Sequence, residues 1–158
     1  MADRSQRKFL CVIDETPECR VAIRFASRRA QHTHGQVALL YAIDPIETQE
    51  WHAVEEKMRA DAYSEAERAL YEAASIVNAT SGLRPELIIR EGEPHQALSA
   101  LLQSDPSISI LVLGAAISKG GPGPLFSSIM AAEFGKAFPI PITVVPGGLT
   151  DDEIDALA

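Results

Sequence analysis

The stretch from Gly114 to Ser128 holds the residue types that suggest chemistry most directly. Its sequence, GAAISKGGPGPLFSS, contains four glycines and a single cation, Lys119. Glycines let a backbone approach a phosphate closely and point N–H groups at it, and a lysine adds positive charge. Tight turns also need glycine, so a glycine-rich loop is a weak motif by itself. The stretch indicates either an anion-binding loop or a set of turns, with Lys119 as a phosphate contact or a solvated side chain.

Asp14 is the second candidate, at the end of the apolar run Phe9–Ile13. That run predicts a buried strand, and Thr16 followed by Pro17 predicts the capped start of a helix. An acid at such a strand end either contacts a ligand or stabilises the turn. Both interpretations of Asp14 stay open at the level of the residues.

Motifs of well-known catalytic and metal sites are missing from the sequence. There is no Walker lysine motif, no G-x-S-x-G and no H-E-x-x-H. His32 and His34 are two residues apart, so on a helix they diverge instead of chelating a metal. Cys11 and Cys19 have neither zinc nor redox spacing and are predicted to be reduced packing thiols. We therefore expect no enzyme and no metal site.

Apolar runs that fit buried strands alternate with segments whose apolar residues have helical spacing. In the second helical segment the apolar stripe includes Trp51 and Met58, for which we expect core packing. The strands are predicted at residues 9–13, 37–43, 87–89, 109–113 and 141–145, and the helices at residues 17–32, 48–80, from 94 and from about 127.

This alternation predicts an α/β fold with an open five-stranded parallel sheet and helices on both faces. In such sheets the ligand crevice lies beyond the carboxyl ends of the strands, where the strand order reverses. The rule singles out residues 14–16, after the first strand, and residues 114–128, after the fourth. Asp14 lies in the first of these segments and the glycine-rich stretch forms the second.

Length and charge limit the classes of function. The 158 residues fit one domain, predicted over residues 1–146, followed by an acidic tail at 147–158 that we expect to be solvated and partly frayed. Twenty-two Asp and Glu against 14 Lys and Arg give a net charge of −8, which disfavours nucleic acid and anionic membranes as partners. No apolar run is long enough to cross a membrane, so we expect a cytoplasmic protein.

Five short strings, FLCVIDET, YAIDP, EGEP, ILVLGA and PIPITVV, occur in an order that resembles the universal stress protein family. The resemblance extends from Lys8 to Pro146. It implies a Rossmann-like sheet with the strand order 3-2-1-4-5. It also implies a homodimer, which many relatives form through their last strand, here residues 141–145.

Nucleotide-binding members of that family carry a Gly, two residues, a Gly, nine residues, a Gly, and then Ser or Thr. Gly114 and Ser128 match the first and last positions at this spacing, whereas Ile117 and Ser127 stand where the other glycines belong. A β-branched Ile does not readily adopt a positive φ, so the loop must follow another path there. Three further glycines in the loop are available to compensate, although Pro122 and Pro124 remove two N–H donors.

The resemblance implies a role for each candidate residue. Asp14 would contact the nucleoside, and Ala42 would lie beside the adenine edge. The phosphates would be held by Gly114, Lys119, Gly120, Ser127 and Ser128. An alternative for the two serines is that they cap the fourth helix.

Two functions follow from the resemblance. The first is a cytoplasmic regulator that binds ATP, ADP or AMP without fast turnover, with Ile117 weakening affinity or shifting preference toward AMP or ADP. The second is a nucleotide-free dimeric interaction module, because some relatives lack the full glycine motif. Slow ATP hydrolysis would need Mg²⁺, for which only Asp14 and the loop serines are candidate ligands.

Overall fold

The computed structural model describes residues 6–45, 52–133 and 138–158. Strands and helices alternate along these residues, as the sequence predicts. The strands are β1 Lys8–Val12, β2 Gln36–Ile43, β3 Glu86–Glu91, β4 Ile108–Ala115 and β5 Ile142–Pro146. The helices are α1 Pro17–His32, α2 His52–Ser81, α3 Pro94–Ser104, α4 Pro124–Glu133 and α5 Asp151–Leu157.

All five strands are parallel and lie in the order β3-β2-β1-β4-β5. The predicted fold class and strand order are therefore confirmed. In the centre of the sheet Leu10 of β1 lies between Ala38 of β2 and Leu111 of β4. The strand order reverses between β1 and β4, so a ligand crevice is expected beyond the carboxyl ends of these two strands.

Each face of the sheet has its own apolar core, which explains why the central strands are apolar at nearly every position. Because successive side chains of a strand point to opposite faces, Phe9 and Cys11 of β1 pack with α1 and α2. Leu10 and Val12 pack with α3 and α4 on the other face. No helix within the described residues is long and apolar enough to span a membrane.

The first helix begins as the sequence predicts. Thr16 is its N-cap, with Oγ1 accepting a hydrogen bond from the backbone N–H of Cys19 at 3.3 Å, and Pro17 occupies the first helical position. This start places Asp14 in the short turn between β1 and α1. The turn is therefore anchored by its own local sequence.

The second helix departs in part from the predicted stripe. From Glu55 onward the first buried residue is Ala66, and Met58 is 50% exposed, so the expected core packing of Met58 is wrong. Trp51 and the predicted helix start at residue 48 lie outside the described residues.

The fourth helix begins earlier than predicted, because Pro124 takes its first position. Ser127 and Ser128 therefore lie inside the helix and do not cap it. The N–H of Ser127 donates to the carbonyl of Gly123 at 3.0 Å, as an intrahelical bond does. The preceding strand is longer than predicted and includes Gly114.

Residues 147–158 were expected to be solvated and partly frayed, and that expectation is wrong. Residues 151–157 form α5, which starts with a capping box between Thr150 and Glu153. Ile154 is fully buried, and Leu149 packs against the core that α1 and α2 share. The acidic composition of this segment therefore marks a docked helix instead of a loose end.

Charge complementarity holds α5 on α1. Arg24 donates to both carboxylate oxygens of Asp155, at 2.9 and 2.8 Å, and Arg28 Nε donates to Asp155 Oδ1 at 2.9 Å. These hydrogen bonds, first from Arg24 and then from Arg28, hold the pKa of the Asp155 carboxyl well below its ordinary value. Arg24 and Arg28, which would be expected on a solvated surface, thus bind the C-terminal helix through Asp155.

Asp155→Asn removes this anion, and we expect the free energy of unfolding to fall by about 1 kcal/mol at neutral pH, allowing for solvent screening. Because the pKa is depressed in the folded chain, the stabilisation is present above the ordinary Asp range and is lost as the pH falls toward the folded pKa. Urea unfolding should therefore show that the variant and the wild type differ less in free energy of unfolding at about pH 3 than at about pH 7. Asp61→Asn, on the exposed surface of α2, is the control. A difference that does not depend on pH would contradict this assignment.

Candidate functional site

A cleft of about 420 Å³ lies beyond the carboxyl ends of β1 and β2. It brings together three residues that the family resemblance singled out, Asp14, Ala42 and Ser128. The other described residues that line it belong to β1, to β2, to the segments that follow these strands, and to the starts of α3 and α4: Val12, Ile13, Glu15, Tyr41, Asp44, Pro94, Pro124 and Leu125. The turn after β1 therefore meets the start of α4 across one cleft, whereas no described residue of the loop between β4 and α4 lines it.

The carboxylate of Asp14 is held in place by its own turn. Asp14 Oδ1 accepts a hydrogen bond from the backbone N–H of Thr16 at 3.1 Å and a second one from the Thr16 hydroxyl. Asp14 also lines the cleft. The sequence left turn stabilisation and ligand contact as alternatives for Asp14. The structure shows that Asp14 stabilises the turn and also lines the cleft, so the two are compatible.

The end of β2 forms an apolar wall with one polar tip. Ala42 is small and leaves room beside Tyr41, whose ring also lines the cleft. Burial raises the pKa of the Tyr41 phenol, and the nearby Glu15 carboxylate raises it further. The phenol therefore stays protonated at neutral pH and is able to donate a hydrogen bond. An apolar wall with a few polar groups is typical of sites for flat aromatic ligands.

Gly114 lies within β4, where the first turn of α1 crosses the strand. A Cβ atom at Gly114 would lie 2.0 Å from the carbonyl oxygen of Glu18. The glycine is therefore required by helix–strand packing, whether or not a phosphate binds nearby. Gly114 borders a narrow recess of about 10 Å³ that also touches Asp14 and Leu125.

The loop between β4 and α4 is closed by hydrogen bonds to itself. The N–H of Ala116 donates to the Pro122 carbonyl at 2.8 Å, and the N–H of Gly121 donates to the Ser118 carbonyl at 3.2 Å. Gly121 and Gly123 have φ values of 97° and 102°, the left-handed conformation that glycine allows. These two glycines provide the different path that Ile117 was predicted to require.

Of the five predicted phosphate contacts only Ser128 lines the cleft; Gly114 borders the narrow recess instead, and the other three lie away from the cleft. Lys119 and Gly120 occupy the exposed turn that the Gly121–Ser118 hydrogen bond closes, and Ser127 is exposed on α4. None of the three lines the cleft. Ile117 is 72% exposed, and its Cδ1 approaches Gly148, so its side chain does not block the cleft.

Sequence reasoning missed Glu18, which occupies the corner where the two turns meet. A Cβ atom at Gly123 would lie 2.8 Å from Glu18 Oε1, and Cβ atoms at Gly114 and Gly147 would each lie 3.1 Å from Glu18 Cβ. Glycines from three separate segments thus make room for this one side chain. No local pattern marks Glu18, because the three glycines are distant from it in the sequence.

The charges that line the cleft are all negative among the described residues. They belong to Asp14, Glu15 and Asp44. Arg68 of α2 donates to Glu15 from outside the cleft, and hydrogen bonds to Glu65 and then Glu15 raise the pKa of its guanidinium. Glu15 is therefore fixed between the β1–α1 turn and α2.

A second groove, of about 470 Å³, runs between α1 and α2 on the other side of the Asp14–Glu15 segment, with Arg20 and Arg68 among its lining residues. Within the described ranges, no group of three or more His, Cys, Asp or Glu side chains is arranged to hold a metal ion.

The arrangement in the first cleft suits a ligand with an aromatic ring and hydroxyl groups.

Comparison with known proteins gives a consistent result. Residues 6–146 match the sequence model of the universal stress protein family. The fold is similar to universal stress protein UspA from Lactobacillus plantarum, with a TM-score of 0.70 and 20% identity over 88% of this chain and 97% of that one.

Two further solved structures are similar in fold. One is a universal stress protein in complex with cAMP, with a TM-score of 0.64, 14% identity and coverage of 90% of this chain and 98% of that one. The other is the universal stress protein from Archaeoglobus fulgidus in complex with dAMP, with a TM-score of 0.57, 18% identity and coverage of 88% and 96%. No curated protein matches the chain significantly.

Gly114→Ala tests the packing role of this glycine. We expect it to lower the free energy of unfolding by about 2 kcal/mol or more, because the new methyl group would overlap the Glu18 carbonyl. Gly120→Ala is the matched control, since the nearest atom to its Cβ would be Ser118 Oγ at 3.7 Å. Urea denaturation measures both. Equal stabilities of the two variants would show that β4 and α1 do not meet as closely as described.

Proposed function

The chain belongs to the universal stress protein family, and we propose that its cleft above β1 and β2 binds an adenine nucleotide as a regulatory ligand. The observation that carries the proposal is that Asp14, Ala42 and Ser128 converge on one cleft. Two similar structures hold cAMP and dAMP, which supports an adenine nucleotide as the class of ligand.

The nucleoside would occupy the end of the cleft formed by β1 and β2. The Asp14 carboxylate, which its turn already orients, would accept hydrogen bonds from sugar hydroxyls, and a charged acceptor makes such bonds stronger. The adenine ring would lie against Ala42 and Tyr41, where the wall is apolar and has room for a flat ring.

The phosphate would lie toward α4. Backbone N–H groups in the first turn of a helix have no intrahelical partner and favour an anion. Leu125, in that turn, and Ser128 both line the cleft. The Ser128 hydroxyl is therefore a candidate donor, together with the helix start.

We propose binding without fast turnover. Phosphoryl transfer requires cations that neutralise the developing charge, and the charged groups lining the cleft within the described ranges are carboxylates. The location is proposed to be cytoplasmic, which the free thiols of Cys11 and Cys19 support. Phosphate release from ATP that clearly exceeds the Asp14→Asn variant would contradict the non-catalytic proposal.

Asp14→Asn tests the nucleoside contact, because asparagine keeps the turn acceptor for Thr16 and removes the charge. We expect affinity for adenosine and AMP to fall by about tenfold, as a charge-assisted hydrogen bond is lost. Isothermal titration calorimetry measures the change, with Asp61→Asn as the control. A flat titration of the wild type at about millimolar ligand, with no adenine released on acid denaturation, would favour the nucleotide-free interaction module.

We also propose a homodimer formed through β5. This strand ends the sheet and pairs only with β4 within the described residues, so its outer backbone groups are open to a second strand. Val144 of this strand is 43% exposed. An exposed apolar edge is suited to pairing with a second copy.

Val144→Lys should shift the protein from dimer to monomer, because a lysine on an edge strand opposes strand pairing. Sedimentation equilibrium measures the mass directly. Tyr71→Lys, at an exposed aromatic residue of α2, is the control that should leave the mass unchanged. A wild-type protein that sediments as a monomer at all concentrations tested would exclude the β5 dimer.

A further inference from the structure

We propose that Glu18 makes the cleft selective for adenosine and for nucleotides with one phosphate over ADP and ATP. Its carboxylate lies against Gly123, directly before the start of α4, toward which the phosphate is proposed to lie. This selectivity presupposes the adenine-nucleotide binding proposed above. It concerns the number of phosphates that the site accepts.

The position of Glu18 is the first support. Its Oε1 lies against Gly123, the residue directly before α4. The start of a helix attracts an anion through its unpaired N–H groups and its dipole. A carboxylate of the chain itself therefore already lies where the electrostatics of α4 favour a second or third phosphate of a ligand.

The second support is the loss of donors from the loop. The N–H groups of Ala116 and Gly121 are bonded to carbonyls of the same loop, and Pro122 and Pro124 have no N–H. A polyphosphate chain needs several such donors to replace its hydration shell. The loop between β4 and α4 therefore supports a single phosphate near α4 better than a longer chain.

The third support is the missing positive charge. Lys119 is exposed and does not line the cleft. The guanidinium of Arg68 is hydrogen-bonded by Glu15, Glu65 and Glu72. Arg20 and Arg68 line the separate groove between α1 and α2. The described cations nearest to the cleft therefore lie outside it.

Repulsion then grows with each phosphate added. The carboxylates of Asp14, Glu15 and Asp44 line the cleft, and Glu18 lines the adjoining narrow recess, which shares Asp14 and Leu125 with the cleft. At a separation of several ångströms, one further like charge in a partly desolvated cleft weakens binding by about threefold to tenfold. Adenosine avoids this repulsion, whereas ATP meets it in full.

The test is a set of calorimetric titrations with adenosine, AMP, ADP and ATP in a buffer containing EDTA, so that no divalent cation masks the phosphates. For the wild type we expect ATP to bind at least about tenfold more weakly than AMP. In Glu18→Gln the ratio should shrink to about threefold, mainly because ATP binds more tightly. Glu67→Gln removes one carboxylate from α2, outside the cleft, and should leave the ratio unchanged.

Salt dependence of the wild type gives a second measurement that needs no variant. Raising NaCl from about 0.05 M to about 0.5 M should tighten ATP binding and leave adenosine binding unchanged, because salt screens like charges. A loss of ATP affinity with salt would show net attraction and would overturn the proposed selectivity.

The remaining outcomes separate the two proposals. Binding of ATP as tight as AMP overturns the selectivity and leaves adenine-nucleotide binding intact. An unchanged ratio in Glu18→Gln, with wild-type thermal stability, overturns the role of Glu18. Absence of binding by all four ligands overturns the proposed function itself.

Discussion

The close approach of α1 to β4 is the contact on which the rest of the site depends. At Gly114 the strand passes so near the Glu18 carbonyl that no side chain fits between them. This contact brings the turn after β1 to the turn after β4, at the point where the strand order reverses. Asp14 and Ser128 face one cleft because of it. A glycine that a sequence motif associates with phosphate thus has a packing requirement of its own.

The same contact determines the electrostatics of the cleft. Because the first turn of α1 lies against β4, the Glu18 side chain is carried to Gly123 and the start of α4. The loop beyond β4 then closes on its own carbonyls, with Lys119 exposed in the turn. The result is a cleft lined by an apolar wall and by carboxylates. Where the sequence departs from the family's glycine motif, the loop beyond β4 uses its own N–H groups to bond its own carbonyls.

The C-terminal segment, residues 147–158, packs beside Gly114 and Glu18. The N–H of Gly147 donates to the Ala115 carbonyl at 2.7 Å, directly after Gly114. Further along, Asp155 is bonded by arginines of α1, the helix that carries Glu18. Residues 147–158 lie outside the part of the chain that matches the family sequence model, which ends at residue 146. They nevertheless contact α1, the end of β4 and Ile117 of the loop that follows it.

The alternation of strands and helices could be predicted from the amino-acid sequence, because the strands are continuous apolar runs and the start of α1 carries a local signal in Thr16 and Pro17. Asp14 could also be predicted as a candidate residue, since a residue that follows a central strand lies at the edge of the sheet where ligands bind. The positions of Glu18 and Lys119, and the docking of α5, were decided only by the tertiary structure. Local propensity acts over a few residues, whereas these placements depend on glycines and arginines far apart in the chain. Such contacts exist only once the sheet has brought those segments together.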